Sequence, residues 1–513
     1  MLPKPPFAWQ LSVEEERAQF HLLQPRLADV WQTLTTADEA AHTSVVVPGL
    51  NLDGSELQKL DGATFYEERL LFLLIRLLNP RARMVYVTSQ PIHAMVLEYY
   101  FELLAGIPAS HARSRLTLLC AYDSSPRSLT EKILDRPRLI ERIRHGITDP
   151  SRAYLTVFNA TPHERRLAVL LGIPMNGADP DLAHLGTKSG SRKVFREAGV
   201  ALPEGIEDLK GRDDVVQGLV ELDRRRPGLK RAVVKLNDSF SGEGNAIVRY
   251  PESGPRDRSS IEQAVDRMSF IGPGESTESY FGKFERMGGI VEEFLEAREK
   301  VSPSAQLRTS PSGEVQPIST HDQVLGGPDQ QVYLGCTFPA RDPYRRRIQD
   351  EALKVGEVLA RYGVVSRFAV DFLLYRDGPE QDWNLSALEI NLRMGGTTHP
   401  YLALRFLTGG SLDPSSGLFY SARGLAKYYR ATDNLRSPAY RGLLPEDLID
   451  ILTENRLHYG HSSDSGVLFH MIGAVSEFGK LGLTAFGNSP EEADALYERT
   501  IAILDRETDY DRD

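Results

Sequence analysis

Residues 364–396 read VVSRFAVDFLLYRDGPEQDWNLSALEINLRMGG, two alternating apolar runs joined by the polar turn RDGPEQD. Period-two alternation around a turn that holds Gly and Pro predicts a β-hairpin. Glu389 and Asn391 lie two apart and project from one face of its second strand, and Asp371 on the first strand can face them. Two carboxylates and one amide oxygen gathered on a sheet suit a hard octahedral cation such as magnesium, with waters and phosphate oxygens completing the shell. Arg393, two residues further on, shares that face, and its planar cation fits a phosphoryl group or a substrate carboxylate. A surface hairpin with alternating polar residues is the plain alternative. The apolar density of both strands, and the pair Gly395 and Gly396 that would admit a ligand close to the backbone, weigh against it.

A second hairpin lies upstream, at residues 233–248, VVKLNDSFSGEGNAIV. Lys235 sits in an apolar strand, where an ammonium costs free energy unless it snorkels or meets an anion. The following loop carries Ser239, Ser241, Gly242 and Gly244, a small, donor-rich composition that lets backbone N–H groups close over phosphate oxygens. It is not a P-loop, since GxxxxGK[ST] is absent and the loop joins two strands. An exposed strand lysine followed by a flexible turn would read the same way. In IVEEFLEAREK, residues 290–300, Glu292 and Glu293 interrupt an apolar strand and Glu299 follows Arg298; alone, these are charges at a solvated strand end. His321 and Asp322 fall in a loop region, THDQVLGG, where either a substrate contact or a capped polar loop makes sense.

Around these stretches the chain reads as three domains. Its 513 residues and 41% hydrophobic content are enough for that many cores. In the first third, β-branched runs beginning near 43, 83, 115 and 153 alternate with turns, and the first, second and fourth lead into helical-period segments. That alternation predicts a parallel sheet covered by helices, a Rossmann-like domain, although no GxGxxG follows the first strand. The run LLFLLIRLL at 70–78 is too short to cross a bilayer and reads as a buried helix, and Cys120, ending RLTLLC, reads as core. A boundary falls near 180, before a helix with a polar start and a stop at Gly199. Residues 251–283 form a polar stretch, and Tyr344 to Tyr362 a helix. Beyond about 410 a variable helical segment precedes strand, turn and strand, then a helix opened by Asn488, Ser489 and Pro490: a small α+β appendage. The boundaries are therefore 1–180, 181–410 and 411–513.

Sixty Lys and Arg against 71 Asp and Glu give a net charge of −11, which argues against a nucleic-acid or membrane-binding surface. Two cysteines are too few for a disulfide framework, and the start has no apolar stretch long enough for a signal peptide, so a cytoplasmic protein is expected.

In order, VVKLNDSFSGEG, VEEFLEARE, VDF and EINLR resemble the nucleotide-binding pattern of the ATP-grasp superfamily over residues 188–410. THDQVLGG, VYLGCTFPA, EINLRMGGTTHP and LGLTAFGNSPEEA extend the likeness to pheganomycin-type peptide ligases across nearly the whole chain. The resemblance implies a pre-ATP-grasp domain, a two-lobed ATP-grasp core and the family's C-terminal domain. It implies an ATP-dependent ligase that joins a carboxylate substrate to an amine substrate, an amino acid or peptide, through an acyl phosphate, in peptide natural-product biosynthesis. An ATP-grasp kinase acting on a small molecule, or a non-catalytic ATP-binding module, is the alternative.

Carried over by position, Lys188 and Lys235 would hold ATP phosphates under the loop Ser239 to Gly244. The backbone of Glu293, Phe294 and Leu295 would meet adenine with Glu292 nearby, and Glu299 the ribose. Asp371, Glu389 and Asn391 would hold magnesium, and Arg393 would stabilise the acyl phosphate. Many relatives place an arginine where this chain has Ala369, and Arg367 lies four before Asp371. The likeness is also compatible with a homodimer.

Overall fold

In the computed structural model, which describes residues 11–36, 39–51, 57–104, 106–238, 244–272, 274–326 and 332–509, the four β-branched runs become strands. These are β1 (His42–Val47), β2 (Ala82–Thr88), β3 (Leu116–Cys120) and β4 (Ala153–Val157), joined by the short β5 (Met175–Asn176). They form one parallel sheet in the order β3-β2-β1-β4-β5. Val45, Val46 and Val47 are fully buried, as expected of a parallel strand covered on both faces. The apolar run at 70–78 is helical and buried, but it belongs to a 3-10 helix over Ala63–Leu78.

Two readings need correction here. After β3 come two short helices, Leu129–Leu134 and Pro137–Gly146; the break at Asp135 and Arg136 interrupts their period and hid them. Cys120 is not core, because β3 is the sheet's edge strand and leaves the thiol half-buried.

The hairpin around Lys235 belongs to a second, antiparallel sheet. It comprises β6 (Gly205–Leu209), β7 (Arg231–Leu236), β8 (Asn245–Arg249), β9 (Ser269–Phe270) and β10 (Gly289–Glu293), in the order β6-β10-β7-β8-β9. The polar stretch 251–283 contains the helix Arg258–Asp266 and most of the helix Thr277–Met287, whose apolar faces (Ile261, Val265, Tyr280, Phe284) pack on this sheet.

The third sheet carries the other hairpin. Its strands are β11 (Glu299–Val301), β12 (Pro303–Thr309), β13 (Val315–Gly326), β14 (Val332–Phe338), β15 (Ser366–Arg376) and β16 (Asn384–Asn391). After a separate two-stranded ribbon, β17 (Ser411–Asp413) with β18 (Leu418–Tyr420), follow β19 (Tyr428–Arg436), β20 (Gly466–His470) and β21 (Lys480–Gly487). The sheet runs β11-β15-β12-β13-β14-β19-β21-β20, with β16 also on β15. The helix Asp342–Arg361 covers it through Ile348, Val355 and Leu359 against Phe368 and Val370.

The segment after 410 therefore opens with strands where a helical stretch was expected, followed by a short 3-10 helix at Pro438–Gly442 and a helix at Pro445–Glu454. The β14–β19 pairing, Cys336 to Ala431 and Phe338 to Tyr429, carries one sheet across position 410. The closing helix Pro490–Glu507 starts as read, with the Ser489 hydroxyl accepting from the Glu492 N–H at 3.2 Å. Among the described residues no helix is long and apolar enough to cross a membrane.

Candidate functional site

The second and third sheets, with residues 59–69 and Phe158 of the N-terminal part, line a cleft of about 930 Å³. Its floor is the β15–β16 hairpin. Asp371 and Glu389 are direct cross-strand partners and Asn391 pairs with Ala369, which puts all three side chains on the cleft face. The Asn391 amide donates to Asp371 Oδ2 at 3.0 Å, so its own oxygen stays available to a ligand. Lys188, at the start of the helix Lys188–Ala198, reaches Glu389 at 2.6 Å. Thr187 caps that helix by accepting from the Gly190 N–H at 3.0 Å, which fixes the turn that carries the lysine.

The two carboxylates are not equivalent. Burial, then the charge of Glu389, pushes Asp371 up to about 6. Burial alone would raise Glu389 as well, but Lys188, with Arg393 and Lys235, holds it below the usual carboxylate range. Two carboxylates and an amide oxygen gathered on one face of the hairpin are a donor set that fits magnesium.

Lys235 is 7% exposed and pairs with Glu292, diagonally across β7 and β10. Arg192 holds the other Glu292 oxygen at 3.3 Å and Glu207 at 3.2 Å. The buried lysine is thus charge-matched within a satisfied network that opens on the cleft. From β10 the chain crosses between lobes through Phe294 and Leu295, both in the cleft wall. Phe294 lies 3.8 Å from the Arg231 guanidinium and 4.6 Å from the Lys300 ammonium, which fixes its ring. The N–H groups of Glu293 and Phe294 already donate to the carbonyls of Glu204 and Arg231.

The structure brings together Lys188, Lys235, Glu292, Glu293, Phe294, Leu295, Asp322, Asp371, Glu389, Asn391, Arg393, Gly395 and Gly396 along one cleft. Ser239, Ser241 and Gly242 lie outside the described residues, while the Gly244 carbonyl, at the start of β8, accepts from Leu236 and Tyr280.

Two residues depart from expectation. Glu299 turns to Arg376 at 2.7 Å, and its neighbours Arg298 and Lys300 line the cleft instead. His321 belongs to β13 rather than a loop and is fully buried, with Nε2 2.5 Å from the Tyr429 hydroxyl; burial pulls its pKa down to about 3. Arg367 shares the face of Ala369 and Asp371 but stands opposite Arg308, away from the lining of the cleft, so it does not supply the arginine that Ala369 lacks.

Sequence reading missed the far wall. Tyr66 and Arg69 from the N-terminal domain and Asp433, Arg436 and Lys480 from the C-terminal segment line the same cleft. Arg69 stands just before the apolar run 70–78, behind Glu67 and Glu68, where a charged cluster reads as a solvated helix start and gave no signal like that of Lys235.

A protein from Streptantibioticus cattleyicolor named L-propargylglycine--L-glutamate ligase is 30% identical to this chain over 477 residues, covering 91% of this chain and 95% of that protein. The chain belongs to the ATP-grasp ligases of the pheganomycin type. Within the ligase, residues 180–251 and 263–415 match the family described as IQCH-like, ATP-grasp, and residues 447–500 the PGM1 C-terminal domain. The IQ motif-containing protein H of Danio rerio is 24% identical over 79% of this chain, which spans 42% of that longer relative.

Solved structures share the fold. N5-carboxyaminoimidazole ribonucleotide synthetase in its ADP complex matches with a TM-score of 0.50 and 11% identity, over 91% of the ligase and 97% of that chain. Biotin carboxylase from Campylobacter jejuni, as a β,γ-ATP complex, matches with a TM-score of 0.53 and 11% identity, over 91% and 92% of the two chains.

Proposed function

We propose that this ligase joins the carboxylate of one amino acid or peptide to the amine of another through an acyl phosphate, releasing ADP and phosphate. The observation that carries the reading is the single cleft onto which Lys188, Lys235, the Asp371–Glu389–Asn391 face and Arg393 all open. The naming of a relative as an L-propargylglycine--L-glutamate ligase supports two α-amino acids as the substrate class.

Asp371, Glu389 and Asn391 would hold magnesium. Bound there, the ion would neutralise phosphate charge and orient the transferring group. The remaining work falls to side chains and backbone. Lys188 and Lys235 would each exchange a carboxylate partner for phosphate oxygens, so their positive charge stays matched throughout. With the Glu293 and Phe294 amides already donated, the Leu295 N–H would meet a base edge, with the Phe294 ring in the wall beside it. Arg298 and Lys300, in the cleft wall where Glu299 is not, would meet the sugar end of the nucleotide.

In the first step a substrate carboxylate oxygen attacks the γ-phosphorus and ADP departs. In the second, the amine attacks the acyl carbon, phosphate departs and the amine loses its proton. Arg393, which donates to the Met394 carbonyl at 3.3 Å, would direct its other donors to the oxygen that gains charge in both steps. Two free thiols, one buried and one half-buried, support a reducing cytoplasm as the setting.

The test is a screen of paired L-amino acids with ATP and magnesium. ADP, phosphate and a new amide in equal amounts are expected for at least one pair. AMP with pyrophosphate, or a stable phosphate ester in place of an amide, would overturn the reading.

A further inference from the structure

The wall of the cleft contributed by the N-terminal domain and the C-terminal segment has more buried positive charge than it can pair. Arg69 is 2% exposed; Asp433 takes one of its nitrogens at 3.0 Å, and a second amino group has no partner among the described residues. The guanidinium is fixed between two rings, 4.4 Å from Tyr66 and 4.4 Å from Phe158. Lys480 is 4% exposed and spends its ammonium on a neutral hydroxyl, that of Tyr66, at 2.8 Å. No carboxylate pairs with it among the described residues. Burial, with Arg436 and Arg69 nearby, lowers its pKa to about 8 against the pull of Asp433. Asp61 is occupied by Arg436 at 2.5 Å. Asp61 and Arg436 are an exposed pair at the rim, so the buried cations Arg69 and Lys480 have one buried carboxylate, Asp433, between them among the described residues.

This wall adjoins the reacting end. The Phe158 carbonyl, on the residue whose ring holds Arg69, accepts from the Met394 N–H at 3.0 Å, one residue beyond Arg393. A group bound at Arg69 and Lys480 would lie beside the loop that carries Arg393 through Gly396.

We propose that Arg69 and Lys480 bind the free carboxylate of the acyl acceptor, so that the amine substrate is an amino acid or peptide and not a simple amine. The inference rests on the ligase reading above. The donor carboxylate is consumed at Arg393, whereas an acceptor amino acid keeps its own carboxylate through the reaction and into the product. A buried, planar guanidinium with a spare donor beside a buried ammonium is a receptor for such a group.

The test starts from any amino acid pair that turns over in the screen and compares the acceptor with its own α-carboxamide. Wild type should lose about 10- to 100-fold in kcat/KM on amidation, the range for charge-assisted hydrogen bonds. Lys480→Met should lose a similar factor with the free acid and show acid and amide equal within about threefold. Its KM for ATP and for the donor should be unchanged, and Lys480→Arg should restore the preference. If Lys480→Met does not fold, Lys480→Gln replaces it under the same comparison.

Amidation without effect in wild type would overturn the proposal and leave the ligase reading standing. So would a preference that survives in Lys480→Met, or in Lys480→Gln where that takes its place, or a loss on amidating the donor's second carboxylate instead. A screen in which no pair yields ADP removes the ligase reading and this inference with it.

Discussion

Asp371 on β15 and Glu389 on β16 face each other directly, and their surroundings set them apart: one carboxyl is pushed up to about 6, the other held low by Lys188. The pair is poised for a cation that would ionise both.

Glu389→Gln keeps the shape and the hydrogen bond to Lys188 while removing the charge. It is expected to cut kcat/KM for ATP by about 100-fold or more with far-UV circular dichroism unchanged. Wild-type activity in this variant would exclude Glu389 from the metal site.

The pH dependence follows from Asp371. Its folded pKa of about 6 lies above the ordinary 3.8, so its contribution to stability is complete below about 4 and is lost as pH rises through about 6. Magnesium must displace that proton, so its affinity should fall by up to about tenfold per pH unit below pH 6 and release protons on binding. Calorimetry at pH 5 and pH 7 in two buffers reads both; equal affinities would contradict the assignment.

Lys235→Met leaves Glu292 buried with Arg192 as its remaining cation. Removing one partner of a buried pair costs about 3–5 kcal/mol, and the Arg192 contact should hold the loss to the lower end. Urea unfolding should show that loss together with weaker ATP binding. Weaker ATP binding at unchanged stability would mean that the Lys235–Glu292 pair is not held in solution.

Gly190 lies in the first turn of the helix that carries Lys188, and a Cβ there would run into the His184 carbonyl oxygen. Gly190→Ala should destabilise by about 1–3 kcal/mol and weaken ATP binding by moving Lys188. Substitution of Gly211, whose added Cβ meets nothing, should change neither.

Both hairpins were legible because a strand that turns one face to a core and one to a cleft writes its period into the sequence, and Lys235 and Asp371 stand out against that period. Parity was less legible. His321 and Asp322 are adjacent, so one faces the cleft and the other the core, and composition does not say which; Glu299 beside Lys300 is the same case. The continuity of the third sheet depends on pairing β14 with β19, about ninety residues apart, which no local pattern announces. The far wall was hidden for a similar reason: Arg69 and Lys480 are separated by most of the chain and acquire a shared role only in the folded cleft.

The central claim is that the substrate carboxylate is activated by phosphorylation. With a donor acid labelled by oxygen-18 in its carboxylate, the account predicts that each amide formed transfers one labelled oxygen to inorganic phosphate. Label found in AMP, or released to water with none in inorganic phosphate, would contradict it.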